Sequence, residues 1–372
     1  MLIYLDHTAT TRVSPRAKEA FLRALDRFGN PSSLHPAGAA AAAELRRARE
    51  TLARLLGCEP GEVVFTPSGS AANNLAVFGT VRGRRGRVIA TGAEHPSVYE
   101  CVKECERQGC EAVFLPSKGG CLDLAALEAA LTPDTLLVSA MLVNNETGGV
   151  SAVDRIAPLL RARAPRAKLH IDAVQGFMKL PFTAGRLGCD LLTVSAHKVG
   201  APRGAAALYI KKGQQLRPLV FGGGQESGLV SGTENVAAIA AFAAAADERA
   251  ERMEEDYRAV AALRAALLPQ LPGAARVNEP ARGVPHILSL TLPGIRSETL
   301  LHFLEARGIC VSAGSACSAH KKGPSRALLD FGLTVDEADS TVRISLGAEN
   351  TPEELAALAA ALCEAERTLQ KK

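Results

Sequence analysis

Seven short apolar runs lie between Val63 and Ile210, with helical stretches or turns between them. They are Val63-Val64-Phe65, Arg87 to Thr91, Glu111 to Leu115, Thr135 to Asn145, Leu169 to Val174, Asp190 to Ala196 and Ala206 to Ile210. Near-continuous apolar runs that alternate with helices need covering on both faces, which predicts an α/β fold: a mostly parallel seven-stranded sheet covered by helices. Polar residues gather where the runs end: His95, Asn145, Asp172 with Gln175, and Ser195 to Lys198. Ligands of an open sheet sit outside the carboxyl ends of its strands, so these residues are candidates for one shared pocket.

After the seventh run come a glycine-rich loop, F-G-G-G-Q-E-S-G-L-V-S-G-T-E-N, and a long alanine-rich helix running past Tyr257 towards Leu268. The character then changes. Pro269 to Pro280 is rich in Pro and Gly, and a smaller α+β portion follows, with a strand at Ile287 to Leu292, a helix at Ser297 to Ala306 and a strand at Thr341 to Leu346 that carries Arg343. The last helix starts at Thr351 as N-cap, with Pro352 in its first turn and Glu354 three residues after the cap.

Lys plus Arg total 43 against 39 Asp plus Glu, a balance that gives no electrostatic reason to expect nucleic acid or a membrane surface and favours a small substrate. The N-terminus, M-L-I-Y-L-D-H-T-A-T-T-R, lacks the basic start and apolar core of a signal peptide, and no run is long enough to span a bilayer. A cytoplasmic protein is expected. Its nine cysteines form no C-x-x-C pair and read as free thiols. Cys101, Cys105 and Cys110 lie close in sequence without a histidine at ligand spacing, so they read as small buried hydrophobes rather than a metal site.

Several stretches have chemistry to offer. In T-V-S-A-H-K-V-G-A-P-R-G, Lys198 leaves a buried strand beside His197, a setting that disfavours its charged form and suits a Schiff base with an aldehyde cofactor; taken alone, a surface lysine in a turn is the commoner case. The strand–turn–helix order around T-P-S-G-S places Ser70 where small residues and a helix N-terminus make a phosphate cradle. The loop F-G-N-P-S-S-L-H-P, with Asn30 and His35, and the loop holding Thr233 read either as spacers or as pocket walls. Cys317 lies in the small, flexible run A-G-S-A-C-S-A-H-K-K, where nearby cations lower a thiol pKa, whereas Cys310 has apolar neighbours.

Taken together, Y-L-D-H-T-A-T-T, F-G-N-P-S-S-L-H, A-E-H-P-S-V, V-N-N-E-T-G, H-I-D-A-V-Q, S-A-H-K-V-G-A-P-R-G, S-G-T-E-N, G-S-A-C and V-R-I-S-L-G, in this order, resemble the cysteine desulfurases. These are fold-type I enzymes of the class V aminotransferase family that use pyridoxal phosphate (PLP), and G-S-A-C resembles the branch with a longer catalytic loop. The resemblance implies a large PLP-binding domain over residues 14–258 and a small domain made of 1–13 and 259–372 that carries the catalytic cysteine. It implies that Lys198 binds the cofactor and moves the substrate α-proton, that Asp172 faces the pyridine nitrogen, and that His95 stacks on the ring and acts as an acid or base. Gln175 would bond the ring O3, Asn145 would lie near cofactor and substrate, and Ser70, Ser195 and His197 would hold the phosphate with Thr233 of a partner subunit. Asn30 and His35 would join the substrate side, and Arg343 would take the substrate carboxylate.

The implied reaction converts L-cysteine to L-alanine with a persulfide on Cys317. A homodimer with shared active sites is implied, and a sulfur-acceptor protein, either an iron–sulfur scaffold or a tRNA-thiolation protein. There are three departures from the family pattern: the cofactor turn has Ser70 and Ala71 for threonine and glutamate, Val230 stands for an arginine, and His7 stands for an asparagine. Two alternatives stay open at this point, a related class V enzyme (a selenocysteine lyase or an aminotransferase) and a degenerate PLP-binding scaffold; Cys317 favours sulfur chemistry over a simple aminotransferase.

Overall fold

A computed structural model of the chain describes residues 2–314 and 323–369, so Cys317 lies outside the described residues. The seven runs form one sheet, in the spatial order Val63–Thr66, Ala206–Ile210, Leu191–Ser195, Lys168–Asp172, Thr135–Met141, Arg87–Thr91 and Glu111–Leu115. Every neighbouring pair is parallel except those made by Ala206–Ile210, which runs antiparallel to both its neighbours. The chain between Ser195 and Ala206 is too short to hold a crossover helix, so that strand has to return as a hairpin.

The run expected from Thr135 to Asn145 is a strand only as far as Met141. Apolarity continues through Leu142 and Val143, but the Asn144 side chain accepts from the N–H groups of Glu146 and Thr147, each at 2.9 Å, and closes a turn there. Side-chain caps set several helix starts. Ser68 caps Gly69–Val81, His35 caps Pro36–Leu56 and His95 caps Pro96–Arg107. Gly57 ends its helix in the left-handed region at φ 67°, with its N–H returned to Ala53 and Arg54. At the last helix, Thr351 and Glu354 exchange hydrogen bonds as their spacing predicts.

Apolar side chains collect in two main bodies. The larger lies around the sheet and includes Phe65, Ile89, Ile171, Phe177, Val194 and Phe242. The other contains Leu288, Leu290, Val342, Ile344, Leu358 and Leu362, together with Ile3 and Leu5 from the N-terminus. Ile3–Tyr4 reaches it by pairing in parallel with Ile309–Cys310. Burying each large aliphatic side chain stabilises by roughly 1.5–3 kcal/mol, enough to hold a two-residue strand that has little intrinsic stability. The helix Val236–Leu267 serves both bodies: its first turns pack with the sheet-side cluster, and Val260, Leu263 and Leu267 pack with the other.

Candidate active site

Register alone brings much of the polar set to one edge. Asp172 pairs with Met141 on one side and Thr193 on the other, and Ala206 pairs with both Thr66 and Ser195. The turn after Thr66 therefore lies beside the turn after Ser195. Gly69 shows how close they come, since a Cβ there would sit 3.4 Å from that of Ser195. His95 follows the Arg87–Thr91 strand, whose Ala90 pairs with Ser139.

The Asp172 carboxylate is buried and accepts the Val174 N–H at 3.0 Å on Oδ1 and the Asn73 amide at 2.7 Å on Oδ2. A carboxylate has about four acceptor positions, so each oxygen keeps one to offer. Lys198 Nζ donates to the carbonyls of Thr8 at 2.6 Å and Ala9 at 2.7 Å, and Gln175 donates to the same Thr8 carbonyl at 3.1 Å. The T-A-T-T segment thus ties the lysine to the glutamine. His197 lies 3.3 Å from Thr10 Oγ1, and burial, with Lys198 next to it, pushes its pKa down to about 3. The imidazole is neutral at pH 7. Burial also lowers the His95 pKa.

Arg343 is buried at the far wall. It donates to the Asn145 carbonyl at 2.9 Å and pairs with Asp6 at 2.8 Å, while its Nε has no hydrogen-bond partner among the described residues. Asp6 also accepts from Ser312 Oγ at 2.8 Å. Removing one member of a buried ion pair strands the other, so Asp6 keeps Arg343 in place as well as neutralising it. Beside Lys198 opens a cleft, with His7, Lys179, Arg249 and His286 among its walls. Burial, then Lys198 and Arg249, push the Lys179 amine down to about 7.

Asn30, His35, Ser70 and Thr233 are exposed on the single chain. Among the described residues, Asn30, His35 and Thr233 show no hydrogen bond to the group around Lys198; Asn30 accepts from Ser32 N–H and His35 from Gly38 N–H, both local caps. Ser70 stands in the first turn of its helix, next to the Ser195 end of the sheet. Cys101, Cys105 and Cys110 are buried, and burial raises the pKa of each thiol. Of the three departures, Val230 packs against the apolar cluster that includes Val64, Leu75 and Leu208, Ala71 N–H donates to Ser68 Oγ, and His7 lies edge-on to Tyr4 with ring centroids 5.1 Å apart.

Sequence reasoning missed Asp6, Asn73, Glu94, Ser97, Glu146 and Arg326. Arg326 donates to the carbonyls of Gly92 and Glu94, the latter at 2.7 Å, and its guanidinium lies 3.4 Å from the Tyr99 ring centroid. Ser325 donates to Glu146. Asn73 and Ser97 stand within the motifs around Ser70 and His95, and Ser97 was findable as the residue whose N–H an N-cap His95 would accept; Arg326 has no local signal.

Glu94 is buried, accepting from Thr91 Oγ1 at 2.6 Å and Met141 N–H at 2.9 Å, and burial pushes its pKa from 4.5 up to about 8. Between those values the folded protein holds a proton on Glu94 that the unfolded chain has released, so this group's contribution to stability is full at acid pH and is lost as pH rises towards about 8. Glu94→Gln is expected to flatten that slope. Urea unfolding at a series of pH values checks it, and an unchanged slope would show that Glu94 is ionised in the fold.

The geometry defines a lysine, a buried carboxylate and a histidine at the carboxyl edge of a parallel sheet. The model of the aminotransferase class-V family matches residues 3–358, and the chain belongs to that family. A cysteine desulfurase of Trichormus azollae is 37% identical over 353 residues, covering 93% of this chain and 88% of the relative. Among solved structures, a NifS-like protein superposes with a TM-score of 0.91 at 34% identity, covering 98% of this chain and 99% of its own. SspA in complex with cysteine superposes with a TM-score of 0.83 at 30% identity, covering 94% and 99%. Within its family this chain is a cysteine desulfurase of the NifS/IscS kind.

Proposed function

We propose that the chain binds pyridoxal phosphate at this edge and passes sulfur from L-cysteine through Cys317 to an acceptor protein. The observation that carries the reading is the donor set: the Lys198 amine for an aldehyde, the unfilled acceptor positions of buried Asp172 for a pyridinium N–H, and the Ser68–Ser70 turn against Ser195 for a phosphate. These residues fit the group that the family implies. When bound, it supplies an electron sink for negative charge at the substrate Cα.

The chain's own residues do the rest. Lys198 Nζ would hold the cofactor through its aldehyde and, as a free amine, would take the substrate α-proton. Asp172 would take the ring N–H, Gln175 would bond the ring oxygen, and His95 would lie against the ring. Ser70, Ser195 and His197 hold the phosphate; Thr233, exposed on the single chain, completes that site across a homodimer. Arg343, whose Nε–H is unpartnered among the described residues, would offer it to the substrate carboxylate, beside Asn145. Asn30 and His35 border the substrate entrance.

The Cys317 thiolate attacks the substrate sulfur. The S–S bond forms as the C–S bond breaks, the electron pair stays with the substrate carbon that becomes alanine, and the sulfur remains on Cys317 as a persulfide. L-cysteine as substrate accords with the cysteine bound by SspA. The acceptor is an iron–sulfur scaffold or a tRNA-thiolation protein. A large domain of 14–258 and a small domain of 1–13 with 259–372 are proposed; the apolar body that joins Ile3 and Leu5 to Leu288 and Ile344 supports the division, while Val284 and Ile287 belong to the sheet-side body. A cytoplasmic location is proposed, and among the described residues no helix is long and apolar enough to cross a membrane.

A single turnover with L-cysteine, quenched by an alkylating agent, tests the reading by mass spectrometry. One extra sulfur on the Cys317 peptide is expected, with alanine released in equal amount. Alanine formed without sulfur on that peptide would overturn it.

A further inference from the structure

We infer that Asn73 and Ser97 hold the His95 imidazole in one neutral tautomer, with its proton on Nε2, so that His95 offers the cofactor and substrate a hydrogen-bond donor and not a base at that nitrogen. The inference rests on the placement of His95 at the cofactor proposed above. It concerns two positioning residues that act through the histidine.

The starting point is a donor with no choice. The backbone N–H of Ser97 lies 3.1 Å from His95 Nδ1, and a peptide N–H can only donate, so Nδ1 must present its lone pair. Ser97 Oγ lies 2.7 Å from the same nitrogen. A hydroxyl can donate or accept, and its other neighbour decides which. Asn73 Nδ2 is 2.8 Å from Ser97 Oγ and 2.7 Å from Asp172 Oδ2. The carboxylate selects the amide orientation, because a flipped amide would set oxygen against oxygen in a site where Asn73 and Asp172 are 1% and 5% exposed. With its NH₂ facing both groups, Asn73 donates to Asp172 and to Ser97, which leaves the hydroxyl proton of Ser97 for Nδ1. Two donors therefore converge on Nδ1, and the one proton of a neutral imidazole sits on Nε2.

The surroundings keep the ring neutral. Burial lowers its pKa most; Lys198 and Arg326 lower it further while Asp172 opposes them, and His197, beyond Lys198, is itself neutral at pH 7. A second proton could enter only at Nδ1, by turning the Ser97 hydroxyl and forcing out the Ser97 N–H. The α-proton therefore falls to Lys198 Nζ, and His95 serves as a fixed N–H.

The test reads the ring directly, in cofactor-loaded protein carrying isotope-labelled histidine, with the His95 signals identified by their loss in His95→Gln. Proton–nitrogen correlation spectra are expected to show a protonated Nε2 and a bare Nδ1 through the pH range around 6.5 where an ordinary histidine titrates. Ser97→Ala removes the hydroxyl donor but keeps the backbone N–H, so it is expected to let a minor Nδ1–H form appear beside the Nε2–H form and to lower kcat about fivefold, the worth of one hydrogen bond, with KM for cysteine unchanged. Ser97→Thr, which keeps the hydroxyl, is expected to keep the wild-type tautomer. A wild-type ring protonated on Nδ1, a ring that titrates across that range, or a Ser97→Ala protein with unchanged tautomer and kcat would each overturn the inference. Because the tautomer is read without turnover, a failure of the Cys317 sulfur chemistry would leave this result separately visible.

Discussion

Lys198→Ala is expected to abolish the visible absorbance of bound pyridoxal phosphate and to lower cysteine-dependent alanine formation by at least about 10³-fold. Two functions go at once. The covalent anchor is lost, and with it a base at the substrate Cα, a contribution of about 10²–10⁴-fold by itself. The rest of the site is expected to stay folded, because Gln175 still bonds the Thr8 carbonyl and the strand Leu191–Ser195 is held by its register with its neighbours. Thermal unfolding near that of the wild type would confirm this. Small added amines should restore part of the proton transfer. A variant that keeps the wild-type absorbance would place the cofactor on another amine, and Lys179, whose amine is pushed down to about 7, would be the residue to examine.

Cys317→Ser is expected to keep the cofactor absorbance and the spectral change on adding L-cysteine, while alanine formation falls by about 10²-fold or more. A thiol supplies a few per cent of thiolate at neutral pH and is strongly nucleophilic towards sulfur; an alcohol supplies almost no anion and cannot hold the sulfur as a persulfide. The effect therefore falls on the step after substrate binding. Assay of alanine and sulfide with a reductant present separates the two stages, and robust alanine formation by the variant would remove the persulfide from the mechanism. The pair of variants also sorts the roles: one loses the cofactor, the other keeps it and loses the sulfur transfer.

Much of the fold was legible along the chain. The spacing of apolar runs is a local property, and so is capping: Thr351 with Glu354 needed no tertiary contact to be read. The strand that ended early at Met141 shows the limit, since apolarity at Leu142 and Val143 carries no sign of the turn that Asn144 makes. The antiparallel course of Ala206–Ile210 followed from the length of its connection, a quantity present in the sequence but silent until neighbouring strands are known.

What the sequence by itself determined is the alternation that builds the sheet, and the residue types able to do the chemistry at its carboxyl edge: Lys198, Asp172, His95, and the thiol of Cys317. The tertiary structure decided how those groups are held. Asp6, 337 residues away in sequence, neutralises Arg343; the Thr8 carbonyl joins Gln175 to Lys198; and Asn73 and Ser97 connect Asp172 to His95. The physical reason is range. Propensity, periodicity and capping act over a few residues of chain, whereas the direction of a hydrogen bond, and with it the nitrogen that carries a proton, depends on partners that only folding brings within 3 Å.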